Sequence, residues 1–162
     1  MTGEHLQSAI VNWHADCHQD GTGRITYSAS GSAVGPYNGT FKERGVVWVT
    51  NSGGVPYENF FAAFEIRSTS PSATIVGTKS EIPPETFPGL YCGGYPIYGY
   101  SSYFNDAPNV YNARIRRGEN TFKDKGTSNV EVTFGCTDPA CLPNSIREDF
   151  TSTSGTMLIA RD

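Results

Sequence analysis

Charge is scarce in this chain: Asp, Glu, Lys and Arg make up 17% of its 162 residues, against roughly 25% in an average soluble domain. Lys and Arg number only 12 against 16 acidic residues, for a net charge of −4. That balance argues against a nucleic-acid-binding surface, which needs clustered cations for phosphate contacts. Long apolar runs are also missing. The longest, Phe60 to Phe64, has five residues, whereas a membrane-spanning helix needs about 20. No Gly-rich phosphate loop occurs in a strand-turn-helix context. What the chain does have is 18 Gly, 10 Pro and 12% aromatic residues. An aromatic load of that size supports a buried core and excludes wholesale disorder.

Four cysteines, Cys17, Cys92, Cys136 and Cys141, form an even set in a Ser-, Thr- and Gly-rich chain. Such usage points to an oxidising compartment and two disulfides. Cys136 and Cys141 close a short loop and are the natural local pair, which leaves Cys17 and Cys92 for a long-range bridge. A zinc site competes, since four thiolates suit Zn²⁺, but the spacing lacks the closely paired cysteines of common structural sites. No charged segment followed by an apolar stretch opens the chain. An exported protein would then have Met1 where a signal has been removed.

Most segments alternate apolar and polar residues with period two, the pattern of half-buried strands. Arg24 to Ala33 sets Ile25, Tyr27 and Ala29 on one face. Pro36-Tyr37-Asn38-Gly39 reads as a tight turn, Pro fixing φ and Gly supplying a positive φ. Thr40 to Thr50 completes a hairpin. In Tyr57 to Ser68, Phe60, Ala62, Phe64 and Ile66 point one way, and Phe61, Ala63, Glu65 and Arg67 the other. Ala73 to Lys79, Val110 to Arg116, Thr121 to Thr127, Val130 to Cys136, Ile146 to Ser152 and Thr156 to Ala160 bring the set to about nine strands. Turn signals at this spacing with no helical pattern in the body mean a sandwich or a barrel. The chain divides as one domain, 1–162, with an N-terminal segment 1–20 that fits helix or strand periodicity equally. Strand groups 21–80 and 109–162 flank a Tyr/Gly/Pro-rich loop, 81–108.

One hexapeptide echoes another. Thr40-Phe41-Lys42-Glu43-Arg44-Gly45 recurs as Thr121-Phe122-Lys123-Asp124-Lys125-Gly126. The glycine in each predicts a bulge or bend in an edge-proximal strand, with the charges lining an exposed side that blocks edge-to-edge aggregation. The competing reading is a charged ligand site at the hexapeptides.

Ile25-Thr26-Tyr27-Ser28-Ala29-Ser30-Gly31, followed by Gly35-Pro36-Tyr37-Asn38-Gly39-Thr40-Phe41 and then Glu43 and Gly45, resembles a secreted Ig-like β-sandwich module of actinobacterial exported proteins. Asn112 to Ile115, Thr121 to Ser128 and Phe150 to Gly155 fit its second half, so the resemblance covers about two thirds of the chain. It implies an all-β, Ig-like antiparallel sandwich of about nine strands, secreted or at the cell surface. It implies no activity and carries no catalytic residue. The departures from it are the Lys- and Arg-bearing strands, the Tyr-rich loop and the Cys136–Cys141 segment, and these are where a specific function would lie.

The loop is the foremost candidate. Phe87, Tyr91, Tyr95, Tyr98, Tyr100, Tyr103 and Phe104 place seven aromatics in 28 residues. Tyr combines an apolar face with a polar tip and suits recognition of sugars or protein surfaces. A lid packed over the end of the fold is the other reading of the same residues. His14, Asp16 and His18 share one face of a strand and form a weak metal candidate. Catalytic constellations are poor. Gly99-Tyr100-Ser101-Ser102-Tyr103 lacks the last Gly of a nucleophile elbow. Glu58, Glu65, Glu131, Asp124 and Asp149 offer carboxylates without any indication of their separation. The sequence therefore predicts a non-enzymatic, cofactor-free binding or adhesion module that recognises a glycan or extracellular protein through Tyr91, Tyr95, Tyr98, Tyr100, Tyr103 and Phe104. It is predicted to bind no nucleic acid and to insert in no membrane. A spacer domain of a larger secreted protein is the alternative, and a small secreted hydrolase the third reading.

Overall fold

The computed structural model describes residues 1–81, 85–86, 102–104, 109–137 and 140–158. Ten strands follow in chain order: β1 (Glu4–Cys17), β2 (Gly23–Val34), β3 (Asn38–Ser52), β4 (Val55–Ser70), β5 (Ser72–Ser80), β6 (Glu85–Thr86), β7 (Ser102–Phe104), β8 (Asn109–Arg117), β9 (Asn120–Thr137) and β10 (Ala140–Leu158). The N-terminal segment, open between helix and strand on periodicity, is strand β1. A bulge between Ile10 and Asn12 shifts its register against β2. Leu6 and Ser8 are buried before the bulge, and Trp13 is half-buried after it.

Each long strand pairs with the next, antiparallel throughout, from β1 to β5, then on to β8, β9 and β10. The last returns to the first: Glu4 lies opposite Phe150 and Ser8 opposite Ile146. Eight strands thus close into one ring, an up-and-down barrel. All-β, antiparallel architecture agrees with the sequence reading, but the expected two facing sheets of an Ig-like sandwich are not found. The reason lies in β9 and β10. Thr121–Thr127 and Val130–Cys136 are one continuous strand, as are Ile146–Ser152 and Thr156–Leu158. Neither Ser128-Asn129 nor Thr153 breaks the chain, and a bulge between Ser152 and Ser154 absorbs the irregularity. Strands of that length can pair on both sides and complete the ring, so the edges that the charged hexapeptides were expected to guard do not exist.

The β2–β3 connection also differs in detail. Its positive φ, 146°, belongs to Gly35, whose N–H donates to Asn38 Oδ1 at 3.1 Å. Gly39 is already in β3, and a Cβ there would lie 2.0 Å from the Arg67 carbonyl oxygen. Close approach of β4 is what demands glycine at that position.

An eight-strand ring has an interior that side chains just fill. Towards one end, Leu6, Ala33, Phe41, Phe64, Ile66, Ile75 and Phe150 share a cluster with Tyr111. Phe150 packs edge-on to Phe64 at 5.4 Å and to Tyr111 at 4.9 Å between ring centroids. Towards the other end, Ile25, Val47 and Val49 pack with Trp13 and Phe60. Alanines at positions 29, 33, 62, 73 and 113 are buried beside the large side chains, as alternation of large and small residues across a narrow barrel requires.

Inside and outside can be told apart by mutation. Phe150→Ala, which opens a cavity at the centre of three rings, is expected to cost about 3–5 kcal/mol. Phe61→Ser, on the outer wall, is expected to cost under about 1 kcal/mol. Urea unfolding monitored by tryptophan fluorescence measures both, and equal losses would contradict the assignment of faces.

Candidate functional site at the loop-bearing end of the barrel

The wall of the barrel is uneven. β5 and β8 have 9 residues each, against 12 to 19 in the other six strands of the ring. They stop at Ser80 and begin at Asn109, at the same end. Beyond that level their places beside β4 and β9 are taken by short strands of the intervening segment. β6 pairs with Tyr57 and Glu58 of β4, and β7 pairs with Thr133, Val132 and Glu131 of β9. The segment predicted to be a recognition loop is therefore anchored at both sides of a gap in the wall. Tyr103 and Phe104 are in β7. Phe87, Tyr91, Tyr95, Tyr98 and Tyr100 lie outside the described residues, as do Cys92 and Ser101.

Beneath this rim the barrel encloses a set of polar side chains beside the Ile25, Val47 and Val49 cluster. On β5, strand alternation turns Ala73, Ile75, Gly77 and Lys79 inward. Lys79 is 1% exposed, its ammonium 2.8 Å from Glu43 Oε2 and in contact with Glu148 Oε1. The Phe60 ring lies 5.6 Å from its Nζ. Glu43 also accepts a hydrogen bond from the Tyr27 hydroxyl at 2.5 Å, and Tyr27 stacks on Phe60 with centroids 6.4 Å apart. Asn109 and Ser128 face each other across β8 and β9, both buried. By register, Asn109 is diagonal to Lys79 and Ser128 diagonal to Glu148. Asn109 Oδ1, Ser128 Oγ and Glu148 Oε2 have no hydrogen-bond partner among the described residues. Buried polar atoms of this kind normally hold ordered water or a ligand's polar group.

One ammonium facing two carboxyl groups leaves a negative charge unmatched. Burial, and then the neighbouring Glu43, push the Glu148 carboxyl up to about 8, against the pull of Lys79. A proton on Glu148 at neutral pH cancels the excess. The Lys79 ammonium is disfavoured by burial, but the charges of Glu148 and Glu43 outweigh this and hold its pKa above the ordinary lysine value. An ammonium so held is not a nucleophile.

A second buried carboxylate lies towards the opposite end. Asp124 Oδ2 is 2.5 Å from the α-amino group of Met1 and accepts from the Tyr111 hydroxyl at 3.0 Å, while Ser152 Oγ donates to Oδ1. The repeated hexapeptides thus share a device. Glu43 and Asp124 each point inward and take a tyrosine hydroxyl from the adjacent strand. That tyrosine sits opposite the hexapeptide's glycine: Tyr27 opposite Gly45, Tyr111 opposite Gly126. A Cβ on Gly45 would come within 2.2 Å of the Tyr27 ring. Room for the ring, rather than the predicted bend, accounts for Gly45. At Gly126 the irregularity falls on the partner strand, between Ser152 and Ser154. Nearby, Glu4 is fully buried. It accepts from the Tyr37 N–H at 2.9 Å, and burial pushes its carboxyl up to about 7.

The other sequence candidates are dispersed. His14 and Asp16 are exposed on the outer face of β1, and His18 lies in the following turn, its N–H bonded to the Thr22 carbonyl. No group of three or more His, Cys, Asp or Glu suited to a metal occurs among the described residues. Cys17 is disulfide-bonded, and the side chains of Cys136 and Cys141 lie outside the described residues, though their backbones are opposite one another in β9 and β10. Glu65 pairs with Arg67 and Asp149 with His5 on the outer surface, so of the carboxylates weighed for hydrolysis these two and the inward-facing Asp124 do not converge, while the side chain of Glu58 lies outside the described residues. Those that converge, Glu43 and Glu148, were passed over, although strand parity with Phe41 and Phe150 marks both as inward.

Two measurements test the cluster. Lys79→Met, which leaves two carboxyl groups facing each other without a cation, is expected to cost about 3–5 kcal/mol; adding Glu43→Gln and Glu148→Gln should recover part of the loss. The pH dependence has a definite sign. Glu4 and Glu148 have folded-state pKa values raised above the ordinary 4.5 to about 7 and about 8, so between these limits the folded chain binds more protons than the unfolded chain. Their contribution is fully present below pH 4.5 and is lost as pH rises through 7 and 8. Melting temperature should therefore fall between pH 6 and 9, and Glu148→Gln should flatten the upper part of the fall. A flat or rising profile would contradict the assignment.

Comparison with protein-family models, with curated proteins and with solved structures finds no match for this chain.

Proposed function

We propose that the protein is an exported, non-enzymatic binding module that recognises a glycan or an extracellular protein through the Tyr-rich segment 81–108. The observation that carries this reading is the anchoring of that segment: β6 on β4 and β7 on β9 fix both its ends to the rim of a closed barrel. A rigid scaffold presenting one long loop is a common arrangement for binding sites, and the mouth of a barrel is a frequent place for them. The titratable groups beneath the rim support binding over catalysis. Lys79 is engaged by two carboxyl groups, and Glu43 by Lys79 and Tyr27, so neither is poised to attack a substrate or move its proton. The disulfide at Cys17 supports a secreted or cell-surface location. Bridges Cys17–Cys92 and Cys136–Cys141 belong to the same proposal.

Replacing Tyr95, Tyr98 and Tyr100 together by Ser separates binding from packing. A glycan array and an extracellular-matrix protein panel, read with the whole chain, should show a partner that the triple variant loses at least tenfold, with the melting temperature unchanged. A variant that melts several degrees lower with no partner lost would identify a lid, and the protein as a spacer.

A further inference from the structure

The outer wall carries cations where strand pairing disfavours them. Arg114 and Arg116 of β8 and Lys123 and Lys125 of β9 are all exposed. Register puts Arg114 directly opposite Lys123, and like charges so placed destabilise a sheet. None of these four side chains has an ion-pair partner among the described residues. Two carboxylates of the same strands and of β4 are engaged elsewhere. Asp124, between the two lysines, turns inward to Met1, and Glu65 of β4 holds Arg67 at 2.6 Å. Overall basicity does not account for the cluster, since the chain is net negative at −4.

Arg114, Lys123 and Lys125 line an open groove of about 630 Å³ across β5, β8, β9 and β10. Thr78, Asn112 and Ser154 add hydroxyl and amide groups to its lining, and Asp124, whose carboxylate is held by Met1 and Tyr111, lies between the two lysines. We propose that this groove binds an acidic polysaccharide, a linear glycan bearing carboxylate or sulfate groups. Arg offers bidentate hydrogen bonds to planar or tetrahedral oxyanions and Lys a compact positive charge. The hydroxyl and amide groups between them suit sugar hydroxyls. Neighbouring strands are about 4.8 Å apart and alternate residues on one strand about 6.7 Å, so the cations form a lattice that meets repeated charges along a polymer. Single-stranded nucleic acid fits less well, because its bases stack on aromatic side chains and none lines the groove among the described residues. The site is on the outer wall and is independent of the loop at the mouth.

Titration calorimetry of the whole chain with a heparin-derived oligosaccharide and with oligogalacturonate tests the proposal. Binding of either probe is expected, weakening steeply with added salt, and which one binds tells sulfate from carboxylate recognition. Arg114→Ser/Lys123→Ser/Lys125→Ser should lose at least tenfold in affinity while melting no lower than the parent, since a repulsion is relieved. Lys42→Ser/Arg44→Ser, on the outer face of β3, should bind within twofold of the parent. Failure of both probes at low salt would overturn the proposal. So would undiminished binding by the Arg114 triple variant, equal loss in the β3 variant, or tighter binding of oligothymidylate than of either glycan.

Discussion

Closure of the ring by β1 on β10 is the constraint from which the rest of the architecture follows. Once the eight strands have no free edge, every second residue of each is committed to a space of fixed width. Large rings have to be matched by alanine or glycine across the way, and any polar side chain of inward parity needs a partner found inside. Phe150 against Phe64 and Tyr111 satisfies the first demand. Tyr27 over Gly45 satisfies both, filling the space a Cβ would occupy and handing its hydroxyl to Glu43.

The buried charges follow the same logic. A carboxylate enclosed by apolar walls is costly unless neutralised or paired. The interior answers with both means, a lysine shared between two glutamates and a proton retained where one charge remains. Breaking such a set costs more than the set contributes, because removal of one member strands the others. These groups therefore fix which residues face in more than they raise stability, and the same holds for Asp124 among Met1, Tyr111 and Ser152.

Strand identity was legible because period two needs nothing beyond the local chain. Phe60, Ala62, Phe64 and Ile66 face inward as alternation requires, and Ile25, Tyr27 and Ala29 do the same. Ring closure was not legible. It depends on which strand pairs with which over more than 130 residues of separation, and alternation is identical for a barrel and for one layer of a sandwich. Ser128-Asn129 looks like a turn in sequence, yet Ser128 is wholly buried within a continuous strand. The interior polar groups were missed because charge was read as a mark of the surface. Lys79 and Glu43 stand at inward parity beside Ile75 and Phe41, and parity outweighs hydropathy in a closed ring.

The low side of the wall has a further meaning. None of the ladders that join the eight strands of the ring draws on residues 81–108. The hydrogen bonds that close the cylinder are therefore independent of the length and the chemistry of that stretch.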